Sequence, residues 1–180
     1  MNDSPRSVFL IGMMGAGKTT VGRLLANALG FEFIDADREL EARSGALIAT
    51  IFSVEGEEGF RRRESSLIDE LTQLPGIVLA TGGGAVLNAD TRRRLKERGL
   101  VVYLRATGEE IHRRTRKDRS RPLLQTADPR SRIDALLEQR QPLYEEAAHL
   151  TYQSASANPK RLVRRLLEEP AIRRLSQAAP

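Results

Sequence analysis

At 180 residues the chain is long enough for one domain to bury a sizeable core without covalent staples. It contains no cysteine, which excludes disulfides, thiol nucleophiles and cysteine-ligated zinc and suits a reducing compartment. The formal net charge of +5 permits nucleic-acid binding without requiring it, and because lysine occurs only at Lys18, Lys96, Lys117 and Lys160, arginine carries most of it.

The stretch Met1 to Ser7 is polar and precedes a short strand-like run, unlike the apolar region of a signal peptide. No stretch is long enough to span a membrane, so a soluble, cytoplasmic protein is expected. Val8 to Ile11 reads as a strand, and Gly12-Met13-Met14-Gly15-Ala16-Gly17-Lys18-Thr19 follows it with the spacing of a phosphate-binding loop. A strand ending in glycines ahead of a helix aims several backbone N–H groups, together with the helix dipole, at one anion. Lys18 would then reach the outer phosphates, and the Thr19 hydroxyl would ligate the Mg²⁺ that accompanies a nucleoside triphosphate.

Thr20 to Leu29 reads as a helix stopped by Gly30, and Phe31 to Ile34 as a strand that delivers Asp35 and Asp37 to the ligand-binding edge of a parallel sheet. Arg38 to Ser44 and Leu47 to Phe52 have helical patterns, Gly56-Glu57-Glu58-Gly59 breaks the run, and Phe60 to Leu74 forms a longer helix. Ile77 to Ala80 has the uninterrupted apolar character of a central strand, and it runs into Thr81-Gly82-Gly83-Gly84. Glycines there favour close approach of the backbone to a ligand over a flexible hinge.

Asp90 to Arg98 is an amphipathic helix, Leu100 to Leu104 a fourth strand, and Thr107 caps a helix from Gly108 to Thr115. Residues 116–127 form a basic segment without apolar periodicity, a candidate lid over phosphates. Asp128-Pro129 opens a helix through Arg140, with Pro142 near its end, His149 to Tyr152 is a weak fifth strand, and Asn158-Pro159 starts the last helix. Pro170 is expected to stop that helix and leave 171–180 as a loosely held tail, with 1–170 forming one domain. The alternation of strands and helices implies a three-layer α/β/α P-loop sandwich with a five-stranded parallel sheet and a mobile lid.

Many proteins with such a loop bind magnesium through an Asp ending a second core strand, but here that strand ends in Thr81. Asp35 is therefore the candidate for the metal side. Asp37 has two readings that can hold together: a carboxylate beside a substrate hydroxyl, and the N-cap of the Arg38 helix. Arg61 and Arg140 could face inward and grip a carboxylate with two parallel hydrogen bonds, or each could lie on a solvated helix face.

Taken together, Gly12 to Thr19, Phe33 to Asp37, Ile51-Phe52 with Glu55-Gly56-Glu57, Gly59 to Glu64, Ala80 to Gly84, Arg121-Pro122-Leu123-Leu124 and Arg140 with Pro142-Leu143-Tyr144 resemble the shikimate kinase family. The resemblance covers about residues 7 to 168, with the motifs in order. It implies transfer of the ATP γ-phosphate to the 3-hydroxyl of shikimate, on the route through chorismate to aromatic amino acids, with ATP and Mg²⁺ required. It further implies that Asp37, Lys18 and Arg121 serve catalysis. Gly12, Gly15, Ala16, Gly17, Lys18, Thr19, Thr20, Arg114 and Arg121 would bind the nucleotide, with Arg114 along the adenine. Arg61, Arg140, Gly82, Gly83, Gly84 and Asp37 would hold shikimate, Phe52 and Phe60 would wall its ring, and Thr19 with Asp35 would form the metal shell. Glu64 resembles a brace for Arg61. Thr50 departs from the pattern, standing where many relatives carry a bulky aromatic.

A gluconate or nucleotide kinase on the same scaffold is the nearest rival, and two inward arginines disfavour the nucleotide acceptor. A nucleic-acid track would interleave aromatics with its charge, which the basic segment lacks. A nucleotide-dependent switch would not need Asp37 and the arginine pair. Shikimate is thus the expected partner, with no nucleic acid, no membrane and a monomeric chain.

Overall fold

Five strands form one sheet: Val8–Ile11 (β1), Glu32–Asp35 (β2), Ile77–Ala80 (β3), Leu100–Arg105 (β4) and Leu150–Gln153 (β5). In the computed structural model, which describes residues 7–116, 122–154 and 158–177, every pairing is parallel and the order is β2-β3-β1-β4-β5. Leu10 at the centre lies opposite Ala80 on one side and Val102 on the other. Every residue of β1 and β3 is buried, which is why these strands are continuous apolar runs, whereas β5 at the edge buries little besides Tyr152.

Chain direction then fixes the layers. From β1 the chain passes through Lys18–Leu29 (α1) outward to β2, whereas from β3 it passes through Ala89–Arg98 (α4) the other way to β4. Right-handed crossovers in opposite directions put their helices on opposite faces. Accordingly α1 packs with Pro159–Glu168 (α7), while α4 packs with Pro129–Ala147 (α6), which also carries Gly108–Thr115 (α5). The three-layer α/β/α sandwich expected from the alternation is the observed fold. None of its described helices is long and apolar enough to cross a membrane.

Three local expectations are corrected, and a fourth is located. The helix after β2 is Ala36–Ser44 (α2), and its N-cap is Asp35, whose side chain accepts from the Arg38 N–H. Asp37 sits inside the first turn and is therefore not the cap. The expected break in the helical run is present as a kink at Gly56, where φ is 71° and ψ −179°, so Ile48–Leu71 (α3) is two helical pieces joined there. That left-handed φ is open to glycine at little cost, so one residue makes the bend and the helix resumes at once.

Helix α6 runs seven residues past Arg140, with Pro142 inside it. A proline there loses one backbone hydrogen bond, but Ile133, Leu136, Arg140, Tyr144 and Ala147 make one buried face, and that burial carries the helix through. Finally, Pro170 opens a further helix, Pro170–Gln177 (α8), instead of ending the order at the last one. Proline is tolerated in a first turn, and Ile172 and Leu175, one turn apart, bury their side chains where α8 meets α7. The segment from 171 to 177 is thus part of the packed structure, and the expectation of a loose tail fails for it.

Candidate active site

The carboxyl ends of the parallel strands converge on a single cavity of about 810 Å³. Its lining draws on the loop after β1 from Met14 to Thr20, on Asp35 and Asp37 after β2, and on Thr81 to Gly84 after β3. Phe52, Phe60, Arg61 and Glu64 enter from α3, Arg114 from α5, and Arg140 from α6. Leu123 and Ser154 complete the nearby wall.

At one end the glycine loop turns tightly, with the Ala16 N–H bonded back to Met13 O at 3.1 Å, and its residues line the cavity. Gly12, at φ 141°, passes so close to β4 that a Cβ there would stand 2.5 Å from the Leu104 carbonyl oxygen. Lys18 is nearly buried and its Nζ donates to the carbonyls of Gly12 at 2.6 Å and Met13 at 2.9 Å, so the ammonium is held under the loop it serves. Arg114 reaches across from α5, donating from Nη1 to Gly15 O at 2.9 Å and from Nη2 to Ser154 O at 3.3 Å. It therefore ties the phosphate loop to the end of β5.

The metal side expected from sequence comes together in space. Thr19 Oγ1 donates to Asp35 Oδ2 at 2.7 Å, although 16 residues separate them. A hydroxyl and a carboxylate are the hard oxygen donors that suit Mg²⁺, which typically takes one or two protein ligands beside phosphates and water. Thr81 is occupied elsewhere: its backbone N–H and Oγ1 both donate to Leu10 O at 3.1 Å, locking β3 to β1. The side chain at that position is structural, and the carboxylate that meets the loop hydroxyl, Asp35, lies on the neighbouring strand β2.

At the other end two arginines converge. Arg61 donates from Nη1 to Glu64 Oε2 at 2.6 Å and from Nη2 to Glu57 at 3.2 Å, with its guanidinium over the Phe60 ring at 5.0 Å. Phe60 in turn packs on Phe52 with ring centroids 4.6 Å apart. Arg140 is 1 % exposed, a deep position for a cation. Among buried side-chain atoms, Arg61 Nε, Glu64 Oε1 and Arg140 Nε and Nη1 have no hydrogen-bond partner. An unpartnered buried polar atom costs roughly 1–3 kcal/mol, more when charged, so their clustering in one cavity marks a ligand site.

The electrostatics agree with that geometry. Burial pushes the Arg140 pKa down, Tyr144 counters it, and Arg61 as a second cation pushes it further down. Burial also works against the Arg61 cation, but Glu64 and Glu57 outweigh it and its pKa rises. Burial raises the Glu64 carboxyl, with Arg61 pulling it back and the nearby Asp37 adding to the rise. An anion between the two arginines would relieve their repulsion and take up the partnerless N–H groups.

The glycine run gives this arrangement room. A Cβ at Gly82 would run into Glu64 Oε1 and stand 3.0 Å from Asp37 Oδ1, and one at Gly84 would run into the Arg61 guanidinium. Side chain cannot occupy both places, so close approach and not hinge flexibility is what these glycines provide.

Of the residues expected at the site, Gly15 to Thr20, Asp35, Asp37, Phe52, Phe60, Arg61, Gly82, Gly83, Gly84, Arg114 and Arg140 line the cavity, and Gly12 lies under the loop as a partner of Lys18. Arg121 falls outside the described residues, as do positions 117–120 of the expected lid. The rest of that segment includes a 3-10 turn, Pro122–Leu124, whose Leu123 lines the cavity. Sequence reasoning assigned no role to Glu57, Tyr144 or Ser154. Glu57 was discoverable as an (i, i+4) partner of Arg61, whereas Ser154 carries no local signal.

A glycine loop that holds its lysine, a hydroxyl–carboxylate pair beside it, and a buried and a half-buried arginine across from it define a P-loop kinase of small molecules. Comparison with known proteins sharpens that class: the shikimate kinase family model matches residues 14–171. The shikimate kinase of Bordetella avium is 56 % identical over 160 residues, covering 89 % of this chain and 77 % of that one. That of Nitrosospira multiformis is 53 % identical over 166 residues, covering 92 % and 85 %. A solved structure described as shikimate kinase from Acinetobacter baumannii in complex with shikimate superposes with a TM-score of 0.90 at 45 % identity, covering 99 % of this chain and 97 % of that one. The chain belongs to the shikimate kinase family.

Proposed function

We propose that this protein transfers the γ-phosphate of ATP to the 3-hydroxyl of shikimate, giving shikimate 3-phosphate and ADP on the route to chorismate and the aromatic amino acids. The observation that carries the reading is the convergence of the buried Arg140 and the half-buried Arg61, with partnerless buried N–H groups, on the cavity that Asp37 also lines. That arrangement suits an acceptor bearing one carboxylate and hydroxyls.

The shikimate carboxylate docks between Arg61 and Arg140, with backbone of Gly82, Gly83 and Gly84 alongside and Phe52 and Phe60 against the ring. Asp37 accepts the hydrogen bond of the 3-hydroxyl, orients its oxygen toward the γ-phosphorus, and receives the proton as the new P–O bond forms. The bond to the β,γ-bridging oxygen breaks and ADP departs with that electron pair. Backbone N–H groups of the glycine loop, Lys18 and Arg121 stabilise charge on the transferred group, Thr20 sits at the rim, and Arg114 lies along the adenine. Thr19 and Asp35 hold Mg²⁺, which when bound neutralises phosphate charge. Closure of residues 116–127 would exclude water from the transfer. The same reading has the protein act on a small molecule as a cytoplasmic monomer, independently of nucleic acid and membrane.

The test is a coupled ADP-release assay with shikimate, gluconate and nucleoside monophosphates side by side. Turnover stimulated by shikimate well beyond the others is the expected result. Equal stimulation by gluconate would overturn the assignment of the acceptor.

A further inference from the structure

Glu55, Gly56 and Arg63 take no part in the chemistry proposed for the site, yet they lie where its acceptor end is divided between two pieces of helix. The piece of α3 before Gly56 brings Ile48 and Phe52 to the cavity, and the piece after it brings Phe60, Arg61 and Glu64. The rings of Phe52 and Phe60 meet across the bend with centroids 4.6 Å apart. The angle of the bend therefore sets where one wall of the acceptor pocket stands relative to the other. Gly56 alone does not fix that angle, because its φ of 71° and ψ of −179° leave helical geometry and a residue without a Cβ has many conformations open to it.

Glu55, the last residue before the bend, is folded back onto the second piece. Its stem lies against Gly59, where an added Cβ would stand 2.5 Å from Glu55 Cβ. Its carboxylate sits in the fork of Arg63, which donates from Nε to Oε2 at 2.8 Å and from Nη2 to Oε1 at 2.7 Å. The partners are eight residues apart. In a straight helix that spacing would separate them by about 12 Å along the axis, and side chains pair at three or four residues instead. Arg62 with Glu58 at 2.7 Å and Arg61 with Glu57 at 3.2 Å follow that local rule. Only the bent chain brings Glu55 to Arg63, so their contact and the bend hold each other. Exposed ion pairs contribute little as a rule, and a bidentate arginine–carboxylate pair is the exception.

We propose that Arg63 and Glu55 form a clasp across the Gly56 bend that sets the spacing of Phe52 and Phe60, which makes Arg63 a positioning residue for the acceptor ring. The inference rests on the proposed function, and the tests separate the two. Arg63→Glu sets two carboxylates against each other and is expected to raise the KM for shikimate about fivefold, with kcat and the KM for ATP within about twofold. Exchanging the pair, Glu55→Arg with Arg63→Glu, should return the KM to within about twofold of wild type. Arg62→Glu changes the net charge equally, but its partner Glu58 lies on the same side of the bend, so that variant should keep the wild-type KM within about twofold. In the Phe52→Ala background Arg63→Glu should add less than about twofold, because the wall it positions is gone.

The bend can also be read without turnover. The chain has no cysteine, so spin labels at Val54→Cys, exposed before the bend, and Glu97→Cys, exposed on α4, report it as one interspin distance. A narrow distribution is expected in the otherwise wild-type protein, a broadened one with Arg63→Glu, and a narrow one again in the exchanged pair. A distribution that Arg63→Glu leaves unchanged, an unchanged shikimate KM, an equal rise in Arg62→Glu, or an undiminished effect in the Phe52→Ala background would overturn the positioning role while wild-type turnover upheld the function. No shikimate-dependent turnover by the wild type would instead defeat the function, and the interspin distances would still decide the clasp. Should Arg63→Glu not fold, Glu55→Gln, which removes the charge and keeps the shape, is read by the same two measurements. A KM raised about threefold with a broadened distance supports the clasp, and an unchanged value of either overturns it.

Discussion

At the phosphate-loop end of the cavity Lys18, Thr19 and Arg114 each bond to a partner within the chain, whereas at the acceptor end Arg61, Glu64 and Arg140 keep buried atoms without one. The first end is satisfied largely by backbone: the Gly12 and Met13 carbonyls hold the lysine, and the loop leads into a helix start, where N–H groups are open to an anion. The second is two like charges brought close, with only Glu64 and Glu57 offsetting Arg61 and a phenol beside Arg140. One end has its polar groups satisfied within the chain, some by partners as far away as Arg114 from Gly15, and is stable as it stands. The other is held by long-range packing against an internal repulsion, and an anion bound there should stabilise the fold by mass action.

The largest test of this division lies at the seam. Asp37→Asn should lower kcat by at least about 100-fold, as loss of a group handling the proton would, while the KM for ATP stays near the wild-type value. Wild-type turnover in this variant would remove Asp37 from the chemistry. Next, Arg61→Lys should raise the KM for shikimate by about 10- to 100-fold, because lysine cannot supply the fork and leaves Glu64 with a poorer partner. The KM for ATP should not follow, and a parallel rise in both would break the separation of the ends.

Gly84→Ala is a smaller and more selective probe. Its Cβ would push the Arg61 guanidinium aside, the movable end of a side chain, so the shikimate KM should rise about tenfold while stability changes by less than about 1 kcal/mol. A large loss of stability, measured by denaturant titration, would show that the glycine serves the fold and not the site.

The smallest effect concerns pH. Glu64 has a folded pKa raised by burial above its ordinary 4.5, so the folded state disfavours the carboxylate relative to the unfolded chain. Its contribution to stability is present below pH 4.5 and is lost as pH rises through the raised value. Glu64→Gln should therefore flatten the decline of stability above pH 4.5 in the absence of shikimate. An unchanged slope would mean that Arg61 neutralises the carboxylate completely.

The two ends also differ in how far they can be read in sequence. The phosphate loop, the apolar strands β1 and β3 and the capped helix α5 follow from neighbours a few residues apart, because glycine spacing, alternation and caps are local physics. Asp35 is reached by elimination, since Thr81 stands where a carboxylate is usual, and the structure brings it to Thr19 Oγ1. Failures came where a distant contact outweighed a local signal: Pro142 did not end α6, and Pro170 began α8 because Ile172 and Leu175 had α7 to pack on.

By itself the chain determined the P-loop class, the order of strands and helices and the residue types of the acceptor site, since those depend on short-range pattern. Only the tertiary structure decided which arginines face inward. Arg61, Arg62 and Arg63 are alike in sequence, but the turn of α3 after Gly56 buries Arg61 against Phe60 and Glu64 and leaves the next two to solvent. The same holds for Arg140, Tyr144 and Gly83, which converge because α6 crosses the carboxyl edge of the sheet. A cation's burial is set by what the rest of the chain packs around it, and no local pattern encodes that.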